Sequence, residues 1–148
     1  MLEAARWASS GGNRRLLRLV AVRDLTMIRF VRAISPGMHG HPTALVVICT
    51  DLRLAATYQV DIEHHPTRWI DVGTMTMNMM LAAHAAGLGS CPLTSFSRPA
   101  LSSLLELPAH LSPDLILQLG HAAAAQTNRK TIQLRVEDLV FWERYDAS

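Results

Sequence analysis

The sequence predicts an α+β fold over residues 1–148, and three observations carry that reading. Thr43–Thr50 (TALVVICT) and Leu115–Gly120 (LILQLG) are near-continuous apolar runs that read as interior strands. Asp71–Cys91 (DVGTMTMNMMLAAHAAGLGSC) holds a long helix that is apolar almost all round. Helices and strands follow one another without regular βαβ alternation, which favours α+β over a doubly wound α/β sheet. A chain of 148 residues is long enough for one domain with a real core and short of two.

Each element has its own signal. Leu2–Ala8 reads as the end of a helix, and Ser9-Ser10-Gly11-Gly12-Asn13 as a loop of turn formers. Leu16–Arg23 reads as a strand with Val20 and Val22 on one face. Asp24 is placed to cap a helix through Ile34, with Leu25, Ile28 and Val31 as its apolar stripe, and Ser35-Pro36-Gly37 stops it. The interior strand at Thr43–Thr50 follows. Asp51–Arg68 is polar and irregular, and reads as a lid or variable insert.

The long helix should end at Gly87, and a helix without a wide polar face has to be buried in a core or against a partner. Its Gly-Leu-Gly-Ser-Cys-Pro exit is a segment whose backbone N–H groups can approach a ligand closely. Arg98–Leu107 is a short amphipathic helix, and Pro108 and Pro113 bracket a turn before the strand at Leu115–Gly120. The tail, Arg135–Tyr145, carries Val136, Leu139, Val140, Phe141, Trp142 and Tyr145 and needs a surface to lie on.

Composition narrows the function. Apolar residues make up 49% and charged residues 18%, an excess that favours an obligate oligomer or a cofactor cavity. No apolar run approaches the length of a membrane-spanning helix. Cys49 and Cys91 fit no disulfide or metal framework and suit a reducing, cytoplasmic compartment. A net charge of +2 argues against nucleic acid as a partner of the whole chain. The charge is uneven, however: Arg6, Arg14, Arg15, Arg18, Arg23, Arg29 and Arg32 crowd the first third against Glu3 and Asp24. Two readings stay open there, a solvated face with subunit contacts or an anion site of phosphate type.

The candidate chemistry is sparse. No Walker loop and no GxGxxG follows a strand. Ser9, Ser10 and Asn13 offer hydroxyls and an amide that can hold the edge of a polar ligand, although a plain turn has the same composition. His64-His65 beside Glu63 is the nearest approach to a metal motif, but adjacent histidines in a strand point to opposite faces, and no metal is expected. His84 reads as a hydrogen-bonded residue of the buried helix. Met75, Met77, Met79 and Met80 read as adaptable packing. No Ser/His/Asp or Cys/His order marks a nucleophile.

Four segments, AARWASSGGNR, VRDL to SPG with its following strand, DVG…NMMLAAHAAGLGSCP and LPAHLSPDLILQLGH, together resemble the nitroreductase family of FMN-dependent oxidoreductases over nearly the whole chain. AAHAAGLGSCPLTSF and SPGMHGHPTALVVICTD resemble most the branch containing albonoursin synthase-type cyclodipeptide oxidases, which work with a small partner protein. The resemblance implies a central mixed β-sheet flanked by helices, with the long buried helix at a homodimer interface. It implies FMN contacts at Ser9, Ser10 and Asn13, backbone donors to the flavin ring along Pro92, Leu93, Thr94 and Ser95, and phosphate contacts at Arg129 and Lys130. Tyr58, His65 and Trp69 are the candidate substrate contacts. A hydride or electrons would pass from NAD(P)H or an organic substrate to a nitroaromatic, a quinone or dioxygen, with no catalytic side chain named.

The chain departs from the family pattern in three places. The family's usual first helix, with its Arg-x-Ser phosphate motif, has no counterpart, so an N-terminally shortened domain is expected. Ser9 stands where the first loop usually has Pro, and Arg15-Leu16-Leu17 replace the usual Gln-Pro-Trp. These departures keep open a catalytically weak module for flavin storage, regulation or scaffolding.

Overall fold

A computed structural model describes residues 1–64, 66–121 and 134–145. Its strands β1 (Leu17–Val22), β2 (Ala44–Asp51), β3 (Gly89–Leu93) and β4 (Leu111–Gly120) form one sheet in the order β1-β2-β4-β3. Helices α1 (Leu2–Ala5), α2 (Leu25–Ala33), α3 (Leu52–Thr57), α4 (Thr67–Ala85) and α5 (Arg98–Leu104) are the α-helices of the described residues. The α+β class and the flanking helices agree with expectation.

The mixed sheet does not. Every pairing among the described strands is antiparallel. β2 and β3 do run the same way, joined through α3 and α4, as in a parallel crossover. β4 inserts between them and pairs antiparallel with both, so no parallel ladder forms.

Two cores lie on the two faces. On one, Ile28 and Val31 of α2 and Leu101 of α5 pack on Leu45, Val47, Leu93 and Ile116. On the other, Ala5 of α1 and Val72, Met79 and Ala83 of α4 pack on Leu17, Val46, Ile48, Leu117 and Leu119. β2 is covered on both faces, which is why it reads as an unbroken apolar run. Asp24 caps α2 as expected, its carboxylate accepting from the Met27 N–H at 2.7 Å.

Several expectations need correction. Asp51–Arg68 is not wholly irregular: Asp51 ends β2 and also caps α3, accepting from the Leu54 N–H at 3.0 Å. The long helix starts at Thr67 and ends at Ala85. Gly87, at φ +73°, follows its cap, with the Leu88 N–H bonded to Ala83 and the Gly87 N–H to His84. Only one face of α4 is buried. Ile70, Met77 and Leu81 are exposed on the other, and so is His84, which is no core residue.

Gly89–Leu93 is an edge strand where an open exit loop was expected. β4 begins at Leu111, so Pro113 lies inside a strand and not in a turn. It pairs with Cys49 next to a register shift between Ile48 and Cys49, where its missing N–H is tolerated. The tail forms a single helical turn, Val136–Asp138, and the rings of Phe141 and Tyr145 meet at a tilt with centroids 4.3 Å apart, but its apolar side chains stay exposed. Among the described residues no helix is long and apolar enough to cross a membrane.

Candidate cofactor site

The loop after α1 is fixed from several directions. Gly11–Asn13 makes one tight helical turn, closed by the Asn13 N–H on the Ser10 carbonyl at 2.9 Å. Gly12, Asn13 and Arg15 take positive φ values of 60°, 55° and 51°. Asn tolerates this region through its short polar side chain, whereas Arg does not, so the surroundings must hold Arg15 there. They do: its N–H donates to Ser10 Oγ at 3.2 Å and its Nε to Asn13 Oδ1 at 3.1 Å.

α4 anchors the loop from beneath. Asp71 is 5% exposed, and its carboxylate accepts the Gly11 N–H at 2.9 Å. Thr74 Oγ1 donates to the Ser9 carbonyl at 3.3 Å. Gly11 passes so close to Thr67 that a Cβ there would lie 3.1 Å from the Thr67 Cβ.

The start of α4 is held in turn by Arg68, whose guanidinium pairs with the fully buried Asp114 and donates to Ser112 Oγ at 3.2 Å. Thr50 Oγ1 donates to the other Asp114 oxygen at 2.6 Å. Asp71, Arg68 and Asp114 were not singled out in the sequence. The signal for Asp71 is a lone carboxylate in the first turns of an otherwise apolar helix. Asp114 carries none, because its partners are far away along the chain.

Beside this loop lies a cavity of about 190 Å³, lined by Ser9, Ser10, Arg15, Arg18, Asp71 and Met75 among others. Ser10 Oγ and Asn13 Oδ1 act as acceptors toward Arg15, which leaves the Ser10 hydroxyl proton and the Asn13 amide protons for an outside acceptor. Arg18 is partly engaged, its guanidinium 3.4 Å from Asp51.

The other expected contacts lie elsewhere. Pro92 and Leu93 belong to β3, and the Leu93 side chain is buried in the α2 face of the core. Thr94 and Ser95 are exposed beyond the strand end, where Ser95 sits against Gly37 so closely that a Cβ on Gly37 would meet Ser95 Oγ at 2.0 Å. The Ser97 N–H ties this segment to the Ile34 carbonyl at 3.0 Å. Ser9, Ser10 and Asn13 therefore flank the α4 face, Leu93–Ser95 flank the α2 face, and none of residues 92–95 lines the cavity.

Tyr58 and Trp69 are each about half exposed, with the Arg68 guanidinium 5.0 Å from the Trp69 ring centroid. His65, Arg129 and Lys130 lie outside the described residues. Among the described residues no group of three His, Cys, Asp or Glu side chains is close enough to hold a metal ion.

The family model described as "Nitroreductase family" matches residues 27–121. This chain belongs to the nitroreductase family. A protein of Archaeoglobus fulgidus, named by inference an NADH dehydrogenase/NAD(P)H nitroreductase, is 31% identical over 128 residues, covering 82% of this chain and 70% of that one. Among solved nitroreductases, NfrA1 of B. megaterium superposes with a TM-score of 0.79 at 24% identity, covering 99% of this chain. The chain spans 64% of the length of NfrA1. An FMN-dependent nitroreductase of Clostridium difficile R20291 superposes with a TM-score of 0.70 at 19% identity, covering 99% of this chain and 84% of that one. These structural likenesses concern the nitroreductase fold.

Proposed function

We propose that this nitroreductase-family chain is an FMN-dependent oxidoreductase that works as a homodimer. The observation that carries the reading is the Ser9–Asn13 loop, held at positive φ by Asp71 and Arg15 beside a basic cavity. Holding an L residue at positive φ costs on the order of 1–3 kcal/mol, and such strain is concentrated at ligand sites. Family membership and the FMN dependence of a nitroreductase of like fold supply the cofactor.

The residues present fit part of a flavin. The cavity of about 190 Å³ is below the roughly 300–1,000 Å³ of a complete small-molecule site, so it suits one edge of the group. Ser9, Ser10 and Asn13 would hold the polar edge. β3 is an edge strand, so the backbone N–H groups of Leu93, Thr94 and Ser95 are the candidates to face the ring; Pro92 has none to offer. Since Ser9–Asn13 and Leu93–Ser95 sit in opposite layers, a second copy is the economical way to complete the cradle. Arg129 and Lys130 would take the phosphate through charge-assisted pairs.

FMN, when bound, supplies the electron transfer, and the protein supplies position and electrostatics. The donor would be NAD(P)H, and the acceptor a nitroaromatic, a quinone or dioxygen, with Tyr58, His65 and Trp69 toward the substrate. A desaturase reaction of the cyclodipeptide oxidase type, with a small partner subunit, is a narrower form of the same chemistry. A cytoplasmic setting fits both.

The test is a visible absorption spectrum after incubation with FMN and desalting, followed by NADH and NADPH under anaerobic conditions. A retained flavin band that either donor bleaches is the expected result. No retained band would overturn the reading, and a band that neither donor bleaches would move it to a non-catalytic flavin module.

A further inference from the structure

At the end of the sheet away from the Ser9–Asn13 loop, a buried amide has no partner among the described residues. Gln118 on β4 is 4% exposed, and its Nε2 lacks a hydrogen bond to any of them. It sits between Leu45 of β2 and Cys91 of β3 in register. A buried donor left unmatched costs about 1–3 kcal/mol, and native structures retain few such groups without a reason.

Gln118 lines a depression of about 210 Å³ whose rim carries His39, His41, His121 and the exposed thiol of Cys91. A second depression, of about 460 Å³, shares His41 and Pro42 with the first and adds Arg29 and Arg32 from α2. Arg32 also donates to the Gly40 carbonyl, which pins the loop common to both. Among the described residues no acidic side chain lines either depression, so both present donors and positive charge. With no metal-holding group among the described residues, the histidines count as hydrogen-bonding groups. The second depression lies by itself in the size range of a small-molecule site.

We propose that these adjoining depressions form a second ligand site, distinct from the flavin cradle. Its ligand is a small molecule with an oxyanion at one end and a hydrogen-bond acceptor at the other. The oxyanion, a phosphate or carboxylate, faces Arg29, where a guanidinium can form a charge-assisted pair. The acceptor takes a Gln118 amide proton once the side chain, whose Nε2 is closed off from solvent, turns toward the depression. The site stands on residues the flavin reading does not use, so neither depends on the other.

The experiment is a titration of the full chain with 2-phosphoglycolate, with and without saturating FMN, following the Gln118 side-chain amide resonances by ¹H–¹⁵N NMR. The expected result is a saturable shift of the Gln118 NH₂ pair, unchanged by FMN. Arg29→Ala, on the exposed side of α2, should weaken it at least tenfold. Gln118→Leu, followed through the backbone amide of His41 because the Gln118 side-chain signal is gone, should remove the acceptor-end selectivity, so that inorganic phosphate and phosphoglycolate bind alike. If Gln118→Leu fails to fold, the Arg29→Ala comparison decides alone. No movement of the Gln118 pair, equal affinity in Arg29→Ala, or displacement of the probe by FMN would each overturn the proposal.

Discussion

Arg68, in the first turn of α4, is paired with Asp114 on β4, and Asp114 has no solvent exposure at all. The pair joins the helix that anchors the Ser9–Asn13 loop to the strand at the middle of the sheet. With the packing of Val72, Met79 and Ala83 on the sheet, it fixes the helix that carries the loop's Asp71 and Thr74 tethers. Removing one partner leaves the other charge buried and uncompensated, which costs about 3–5 kcal/mol. Arg68→Ala and Asp114→Ala should each lower stability by that order in urea denaturation. The double variant should lose clearly less than the sum, and strict additivity would show that the two groups act independently.

Asp71 tethers the loop itself through the Gly11 N–H. Asp71→Ala removes a hydrogen bond to a charged acceptor, worth about 1.5–3 kcal/mol. Amide exchange at Gly11 should accelerate, and FMN retention should fall by about tenfold. Asp71→Asn keeps an acceptor oxygen and should fall between. Unchanged Gly11 exchange in Asp71→Ala would remove the tether from the account.

Gly37 and Ser95 cannot both keep their places if Gly37 gains a side chain, since the Cβ would lie 2.0 Å from Ser95 Oγ. The obstacle is the end of a small side chain, so Gly37→Ala should cost under about 1 kcal/mol of stability by rotating Ser95 away. The flavin absorption envelope should nonetheless change, because Ser95 is a proposed ring contact. Adding Ser95→Ala should absorb the stability cost. A double variant that simply sums the two single effects would argue against a direct clash.

The outer stripe of α4 gives a test of assembly. Ile70 and Leu81 are each 60% exposed, and with Met77 they lie on one line of the helix. Leu81→Glu should shift the protein from dimer to monomer in analytical ultracentrifugation and release FMN with it. An unchanged sedimentation coefficient would place the interface elsewhere.

Cys49 sets an alkaline limit. Burial pushes its thiol up to about 12, with the neighbouring Asp114 charge adding to the effect. Below about pH 9, the ordinary value, folded and unfolded chains both carry the neutral thiol and the full stability is present. Between there and about 12 the unfolded chain loses its proton and the folded chain keeps it, so stability falls as pH rises. Chemical denaturation across that window should show a steeper loss for the parent than for Cys49→Ala. Parallel curves would exclude the thiol as the cause.

Much of the fold is legible in the sequence where one local signal decides. β2 shows as a β-branched apolar run, and α2 shows through its Asp24 cap and through Ile28 and Val31, although Leu25, expected on the same stripe, is exposed. Where two signals compete, the reading fails. Asp51 is both a strand residue and a helix cap, so α3 is hidden in a polar stretch. Gly and Pro in Gly89–Leu93 look like a loop, yet an edge strand accepts both.

The hydrophobic excess of α4 is real, but it reflects one face on the sheet and an apolar stripe left open, which composition alone cannot separate. The loop that holds Ser9, Ser10 and Asn13 is readable from turn chemistry. Asp71, Arg68, Asp114 and Gln118 are not, because their roles depend on neighbours or empty spaces that only the folded chain creates.

The insertion of β4 between β2 and β3 also has a consequence for biosynthesis. Until residues 111–120 have left the ribosome, β2 has a strand partner on one side only and β3 has none. The most apolar strand of the chain therefore waits with an open edge, the kind of surface that aggregates or recruits chaperones. Ribosome-stalled chains ending before residue 111 should be cut readily by protease, and chains long enough to expose residue 120 should resist. Equal sensitivity of the two would mean that the nascent sheet closes without its central strand.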